Sequence, residues 1–246
     1  MFRIPKHDQS ILIFGESELP HLRKEALRLL VWNVWKGRGR DIWRRDLLSL
    51  SLDRDLILLQ EAVADSSMSS YFQEASSRYE WRMAASFEWR ERKTGVATGA
   101  VAKPFSSRYL RGREREFFLW TPKVSLSTSY SLHEGPELLV INTHVVNFTT
   151  TSSFVRFVEE LVSLIEHHHG PLILAGDFNT WNLNRWQSLL GILFRLGVTP
   201  VTFGEDPRFL KLDHVFSRGL KMQSAVVRHD IKSSDHYPLL VDFEFC

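Results

Sequence analysis

The chain reads as an α/β protein whose β segments fit two packed sheets flanked by helices. Apolar, strand-like runs recur from about residue 28 to residue 244, and segments of helical period interrupt them singly. Runs near 81–87, 95–102, 124–131 and 137–143 follow one another as hairpins do. A doubly wound parallel sheet would need a helix between nearly all strands. Periodicity by itself leaves the two architectures open.

Residues 1–27 are mixed and polar apart from Ile11-Leu12-Ile13-Phe14, and read as an N-terminal extension packed on a domain of residues 28–246. The first strand is 28–34, a nearly continuous apolar run that implies burial on both faces. Ile42, Trp43, Leu47 and Leu50 mark a helix over 41–50, and Asp55 to Gln60 is the next strand, delivering Glu61. Residues 66–78 read as helix, followed by the four β-like runs. Phe154, Val158, Leu161 and Ile165 mark a helical face over 152–168, stopped by Gly170-Pro171. A short buried strand over 171–175 leads to Asp177, and 183–196 is a further helix. Strands near 212–217, 222–228 and 238–244 complete the domain.

With 246 residues, 43% of them hydrophobic and 24% charged, the chain is long enough to bury a substantial core. A formal net charge of +2 gives no strong whole-molecule attraction for polyanions. Arg108, Arg111, Arg113, Arg115 and Lys123 make one stretch locally basic, diluted by Glu114 and Glu116. These arginines either line a phosphate-binding rim, with Arg113 the candidate contact, or form a solvated surface of Arg–Glu pairs. The single cysteine, Cys246, excludes an intramolecular disulfide and a cysteine zinc cluster. The first residues lack the apolar core of a signal peptide, and no run approaches the ~20 apolar residues of a membrane helix. A cytoplasmic protein without stable membrane insertion is expected, with a monomer as the expected state.

Five short phrases carry the chemistry: Leu59-Gln60-Glu61, Asn142-Thr143-His144, Gly176-Asp177-Phe178-Asn179, Leu212-Asp213-His214 and Ser234-Asp235-His236. Four of them directly end an apolar run, where an α/β scaffold presents groups to solvent. Glu61 at a strand mouth is either a ligand of a hard cation such as magnesium or a solvated loop carboxylate. Asn33, an amide inside an apolar run, is a metal-shell oxygen or a satisfied buried amide. Gly176 permits a tight turn, after which Asp177 can orient and deprotonate water and Asn179 can bond a developing phosphoryl oxygen. The alternative is an Asx turn capping the next helix. His236 can bond a phosphate oxygen if Asp213 holds its ring, and His144 can bind phosphate or protonate a leaving oxygen. Lys36, just past the Asn33 strand, is a further candidate phosphate contact. His167-His168-His169 falls in a last helical turn, where consecutive residues do not share a face, and reads as structural.

In their order along the chain, Trp32-Asn33-Val34 and the five phrases resemble the endonuclease/exonuclease/phosphatase superfamily, the DNase I-like fold, over about residues 28 to 244. Val31-Trp32-Asn33-Val34-Trp35-Lys36, Arg113-Glu114-Arg115-Glu116, Val145-Val146-Asn147-Phe148 and Phe216-Ser217-Arg218-Gly219-Leu220 resemble its bacterial YafD-like branch. The resemblance implies a four-layered α-β-β-α sandwich, with two mostly antiparallel sheets inside. It implies magnesium or manganese on Glu61, with Asn33 close by and Asp235 in or beside the shell. It gives Asp177 the attacking water, Asn179 the transition-state oxygens and His236, oriented by Asp213, the phosphate. His144 stands where other branches have histidine or tyrosine, and Asn147 matches a phosphate-contacting asparagine.

The expectation is a metal-dependent phosphoesterase, more specifically a phosphodiesterase with nucleic acid as first substrate. Inositol phosphates or phospholipid headgroups are the rival substrates. A non-catalytic phosphate-binding module is the rival of another class.

Overall fold

The computed structural model describes residues 2–23, 25–39, 41–74, 78–117, 120–133 and 135–245; Cys246 lies outside them. The seven-stranded sheet comprises β1 (Ile11–Phe14), β2 (Leu27–Asn33), β3 (Leu56–Ala64), β4 (Glu80–Trp89), β5 (Arg92–Ala100), β12 (Leu220–Val227) and β13 (Leu239–Phe245). The six-stranded sheet comprises β6 (Ser106–Arg115), β7 (Pro122–Tyr130), β8 (Leu138–His144), β9 (Leu172–Asp177), β10 (Thr199–Pro200) and β11 (Asp213–Arg218). Their orders are β1-β4-β5-β3-β2-β13-β12 and β10-β11-β9-β8-β7-β6.

Each sheet is antiparallel except for one central pair, β2 with β3 and β8 with β9. Parallel neighbours need a crossover, and helices supply it. α1 (Asp41–Ser51) joins β2 to β3, and α3 (Thr151–Val162) joins β8 to β9. α2 (Ser66–Glu74) and α4 (Leu183–Phe194) complete the outer layers.

Alternation along the strands makes the four layers. Leu29 and Val31 face inward, packed with Val140, Ile173, Val215 and Val241 between the sheets. Leu30 and Trp32 point the other way, packed with Trp43 and Leu47 of α1 and Tyr71 and Phe72 of α2. On the six-stranded side, Ile141 and Leu174 pack with Phe154 and Phe157 of α3 and Leu189 of α4. Both faces of the central strands are therefore dry, which is why their sequences run apolar without alternation.

Several elements differ from the sequence expectation; β3 does not stop at Gln60 but runs through Glu61 to Ala64, and the short strand β10 is not among the expected ones. Ile11–Phe14 is an edge strand, paired with β4 from Ile11↔Ala84 to Phe14↔Trp81. The arginine-rich stretch is strand β6, the other sheet's edge, paired from Ser106↔Ser129 to Arg115↔Pro122. Charged side chains suit an exposed edge and hide its β character. Helix α3 stops at Val162 rather than 168, where Ser163 Oγ bonds the Glu160 carbonyl and the chain tightens into i→i+3 turns. His168 then bonds Pro171 O at 2.8 Å, while His167 is 91% exposed.

Candidate active site

The ends of β2, β8 and β9 and the bulge within β3 open on one cleft of about 820 Å³, whose walls include Asn33, Lys36, Glu61, His144, Asn147, Asp177, Asn179, Asp235 and His236. Asp213 stands behind His236. Ten of the eleven residues expected from sequence are thus gathered around one space. Arg113 is not: β6 carries it along the sheet edge to Glu160 of α3 (3.9 Å), with its side chain 91% exposed. Among the described residues, the Lys and Arg side chains that do reach the cleft, beside Lys36, are Arg38, Arg92 and Lys123.

Glu61 owes its place to an irregularity. β3 keeps register with β5 through Leu59↔Ala97 and resumes at Ala62↔Gly95, so Gln60 and Glu61 face one residue of β5. This β-bulge turns Glu61 left-handed (φ 54°) and out of the ladder. Lys36, itself at φ 55°, places its ammonium 2.7 Å from Glu61 Oε2. Asn33, the last residue of β2, donates to Asp177 Oδ2 at 3.0 Å, while its Oδ1 accepts from Trp35 N.

Asp177 ends β9. Gly176 before it has φ 140°, and a Cβ there would stand 2.0 Å from Thr143 O. Only glycine lets β9 approach β8 this closely. Asp177 Oδ1 accepts from Asn179 N at 3.0 Å, and Asn179 (φ 51°) spends one amide hydrogen on Val145 O. The Asx turn is real, but it does not cap the following helix: Asn182 does, accepting from Arg185 N.

Burial, then the Asp213 charge beside it in register, raises the Asp177 carboxyl well above the ordinary carboxylate range. His236 is the counterpart. Burial pulls its ring down, but Asp213 Oδ2, 2.8 Å from Nδ1, and the nearby carboxylates push it up to about 10. His144 lies 3.4 Å from Asp177, yet burial, followed by the charges of Lys123, His236 and Lys36, holds it well below 6.5, so its ring is neutral. Asp235, exposed, accepts from Ser234 Oγ at 3.3 Å.

Two contributors are not among the site residues expected from sequence. Glu116 is 3% exposed and accepts from the Asn147 backbone N–H and pairs with the Lys123 ammonium, each at 3.1 Å. Arg185, fully buried, donates to the carbonyls of Val146, Thr149 and Asn179, binding together the loops after β8 and β9. Both look like surface charges in sequence; a place just past the end of β6, and one just after an Asn cap, are the signals.

Beside the His236 ring, the cleft-lining side chains from β2, β3 and the 233–236 loop are Asn33, Glu61 and Asp235, which carry oxygen donors; the Asn33 oxygen already accepts from Trp35 N, and a cation already stands against Glu61. That chemistry suits a hard divalent ion. Asp177, Asp213 and His236 also bring one donor atom each within 4.8 Å. Two of those donors are the hydrogen-bonded Asp213–His236 pair, so this group is better described as a dyad facing a carboxylate.

A helix-flanked sandwich of two sheets with this cleft at its strand ends is the DNase I-like class of fold. The sequence pattern of the Endonuclease/Exonuclease/phosphatase family matches residues 30–236, and the chain belongs to that family. A UPF0294 protein of Vibrio vulnificus is 36% identical over 225 residues, 89% of this chain and 77% of the relative. Among solved structures, the human Nocturnin catalytic domain with bound sulfate superposes with a TM-score of 0.69 at 19% identity, over 99% of this chain and 100% of that one. Sphingomyelinase C from Streptomyces griseocarneus gives 0.65 at 14% identity, over 88% and 99%. Among the described residues, no helix is long and apolar enough to cross a membrane.

Proposed function

We propose that the chain is a divalent-metal-dependent phosphodiesterase that hydrolyses a P–O bond with water activated by Asp177. The observation that carries the reading is the shared cleft: a buried, hydrogen-bonded carboxylate between a neutral and a charged imidazole, opposite a Lys-paired Glu61. Asp177, with both oxygens held by Asn33 and Asn179, is oriented to take a proton from water, and its raised proton affinity suits a general base near neutrality. His236, kept charged by Asp213, donates from Nε2 to a nonbridging phosphate oxygen. His144, being neutral, binds the phosphate rather than delivering a proton to the leaving group. Asn147 and Lys36 complete the phosphate contacts, and the second amide hydrogen of Asn179 serves the oxygens of the transition state. Glu61, Asp235 and Asn33 would hold the ion, magnesium or manganese, which when bound supplies several kcal/mol of charge neutralisation.

Nucleic acid is the first substrate class; a phosphorylated headgroup is second. Similar folds are described as a 2′,3′-cyclic phosphatase and as a sphingomyelinase C, which keeps both in view. The test is hydrolysis of a chromogenic phosphodiester with magnesium or manganese, with and without chelator, alongside an oligonucleotide and headgroup esters. Chelator-sensitive turnover is expected, and cleavage of the oligonucleotide that weakens with salt identifies a nuclease. No chelator-sensitive signal on any ester would reassign the cleft to a non-catalytic phosphate-binding module.

A further inference from the structure

Two amides beneath the cleft, Gln60 and Asn142, are not part of its lining, yet both belong to motifs around which the site is built. Both are fully buried between the sheets. Asn142 Nδ2 donates to Ala97 O at 2.9 Å and Leu59 O at 3.2 Å. Leu59↔Ala97 is the last register pair before the bulge. The Asn142 Oδ1 in turn accepts from Gln60 Nε2 at 2.8 Å, and Gln60 is one of the two bulge residues. The Gln60 carbonyl accepts from Val34 N, next to Asn33. A side chain of the six-stranded sheet therefore grips both strands of the seven-stranded sheet where β3 leaves its ladder.

We infer that Asn142 and Gln60 are positioning residues that set the bulge, and with it the direction in which Glu61 enters the cleft. The inference rests on the reading of Glu61 as an ion ligand. A left-handed φ at a glutamate is held only when its surroundings over-determine it. An amide at 142 supplies two donors at one end of the bulge and an acceptor in its middle, which no apolar residue of the same size can do. The same side chain lies two residues before His144 on β8, so one amide registers the ion-holding strand against the strand that carries the phosphate-binding histidine. Removing partners that orient metal ligands typically costs 10–100-fold in metal affinity.

The experiment compares Asn142→Leu and Gln60→Met with Val140→Ala, a buried change on the same face of β8, and with Glu61→Gln. Two quantities are measured on each folded protein: the magnesium affinity by calorimetry, and the backbone amide resonances of Glu61 and Ala62 by NMR without ion. Asn142→Leu is expected to move both resonances and to weaken magnesium binding about 10–100-fold. Gln60→Met, the milder change should Asn142→Leu fail to fold, moves them in the same sense by less. Val140→Ala loses stability but leaves resonances and affinity in place, which a merely structural role for Asn142 would not predict. Unmoved Glu61 and Ala62 resonances in both amide variants overturn the inference. If Glu61→Gln binds magnesium as the parent does while the amide variants still move the resonances, the ligand reading of Glu61 fails and the positioning role stands.

Discussion

The seven-stranded sheet brings Asn33, Glu61, Asp235 and His236 to the cleft; the six-stranded sheet brings His144, Asn147, Asp177 and Asn179. Each builds on a parallel pair joined by one helix, β2–α1–β3 on one side and β8–α3–β9 on the other, with Asp235 and His236 added from the loop before β13. Their environments differ. Glu61 keeps 19% of its side chain in solvent and is answered by a lysine. Asp177 is 2% exposed, and its hydrogen-bond donors are an amide side chain and a backbone N–H. A carboxylate partly in water and paired with an exposed lysine can exchange that cation for another. A dry one without a full countercharge binds protons more tightly. One half of the cleft is thus tuned by countercharge and the other by burial.

The sharpest way to break this contrast is Asp177→Asn. Turnover is expected to fall about 10³-fold or more, the range of a lost general base together with its oriented water. Stability should not fall with it. A carboxyl raised in the folded state favours folding only at low pH, and that contribution is lost as pH rises through the folded value. At pH 8 the neutral amide removes a like charge from beside Asp213, so thermal unfolding should be unchanged or later. Near-parental rates in the folded variant would remove Asp177 from the reaction.

Arg185→Met attacks the buried half through its support. The guanidinium lies within 5.0 Å of the Phe154 ring and 4.7 Å of the Trp181 ring, and burial holds it down to about 10. Its removal leaves the carbonyls of Val146, Thr149 and Asn179 short of a donor. A loss of about 3 kcal/mol in denaturant unfolding is expected. Magnesium affinity, which the proposed function assigns to the other sheet, should stay within a few-fold; if it falls as far as stability does, the two halves are not separable.

The ends of the buried strands were legible in sequence because parallel strands dry on both faces read as unbroken apolar runs. Those runs stop at Asn33, Gln60 and Ala175, and the chemistry sits just past them. Which phrases belong together was legible only from the family resemblance. What sequence could not show is contact between side chains remote along the chain. Lys36 and Glu61 are 25 residues apart, and the bulge that joins them leaves no periodic trace. Arg113 misled for a related reason: a basic stretch states its charge but not that an edge strand turns it toward α3. Arg185 reads as a surface helix residue, and only packing reveals it as a strut.

A smaller effect tests burial without touching the reaction. His214 bonds Thr180 Oγ1 at 2.6 Å and stacks on Trp186, and burial, then the Arg208 charge, holds it down to about 4. A histidine depressed in the folded state stabilises fully above its unfolded value near 6.5 and loses that contribution as pH falls through about 4. His144 shares the sign. Parental stability should drop between pH 7 and pH 4 by on the order of 2 kcal/mol more than that of His214→Gln. Equal slopes in urea unfolding at the two pH values would show that the ring is solvated.

The last test sharpens the wet half. Lys36 has two claims on it: it neutralises Glu61, and it faces the cleft where a substrate phosphate would lie. The two separate in Lys36→Met. As countercharge, the ammonium competes with a divalent ion for Glu61, so its removal should tighten magnesium binding a few-fold, an exposed pair being worth up to about 1 kcal/mol. As phosphate contact, its removal should raise KM about 10-fold, the lower end of a charge-assisted hydrogen bond. Tighter magnesium with unchanged KM would leave Lys36 as a counterion only. A higher KM with weaker magnesium would mean that the lysine holds the Glu61 side chain in place, and would bring this half of the cleft closer to the pre-organised character of the other.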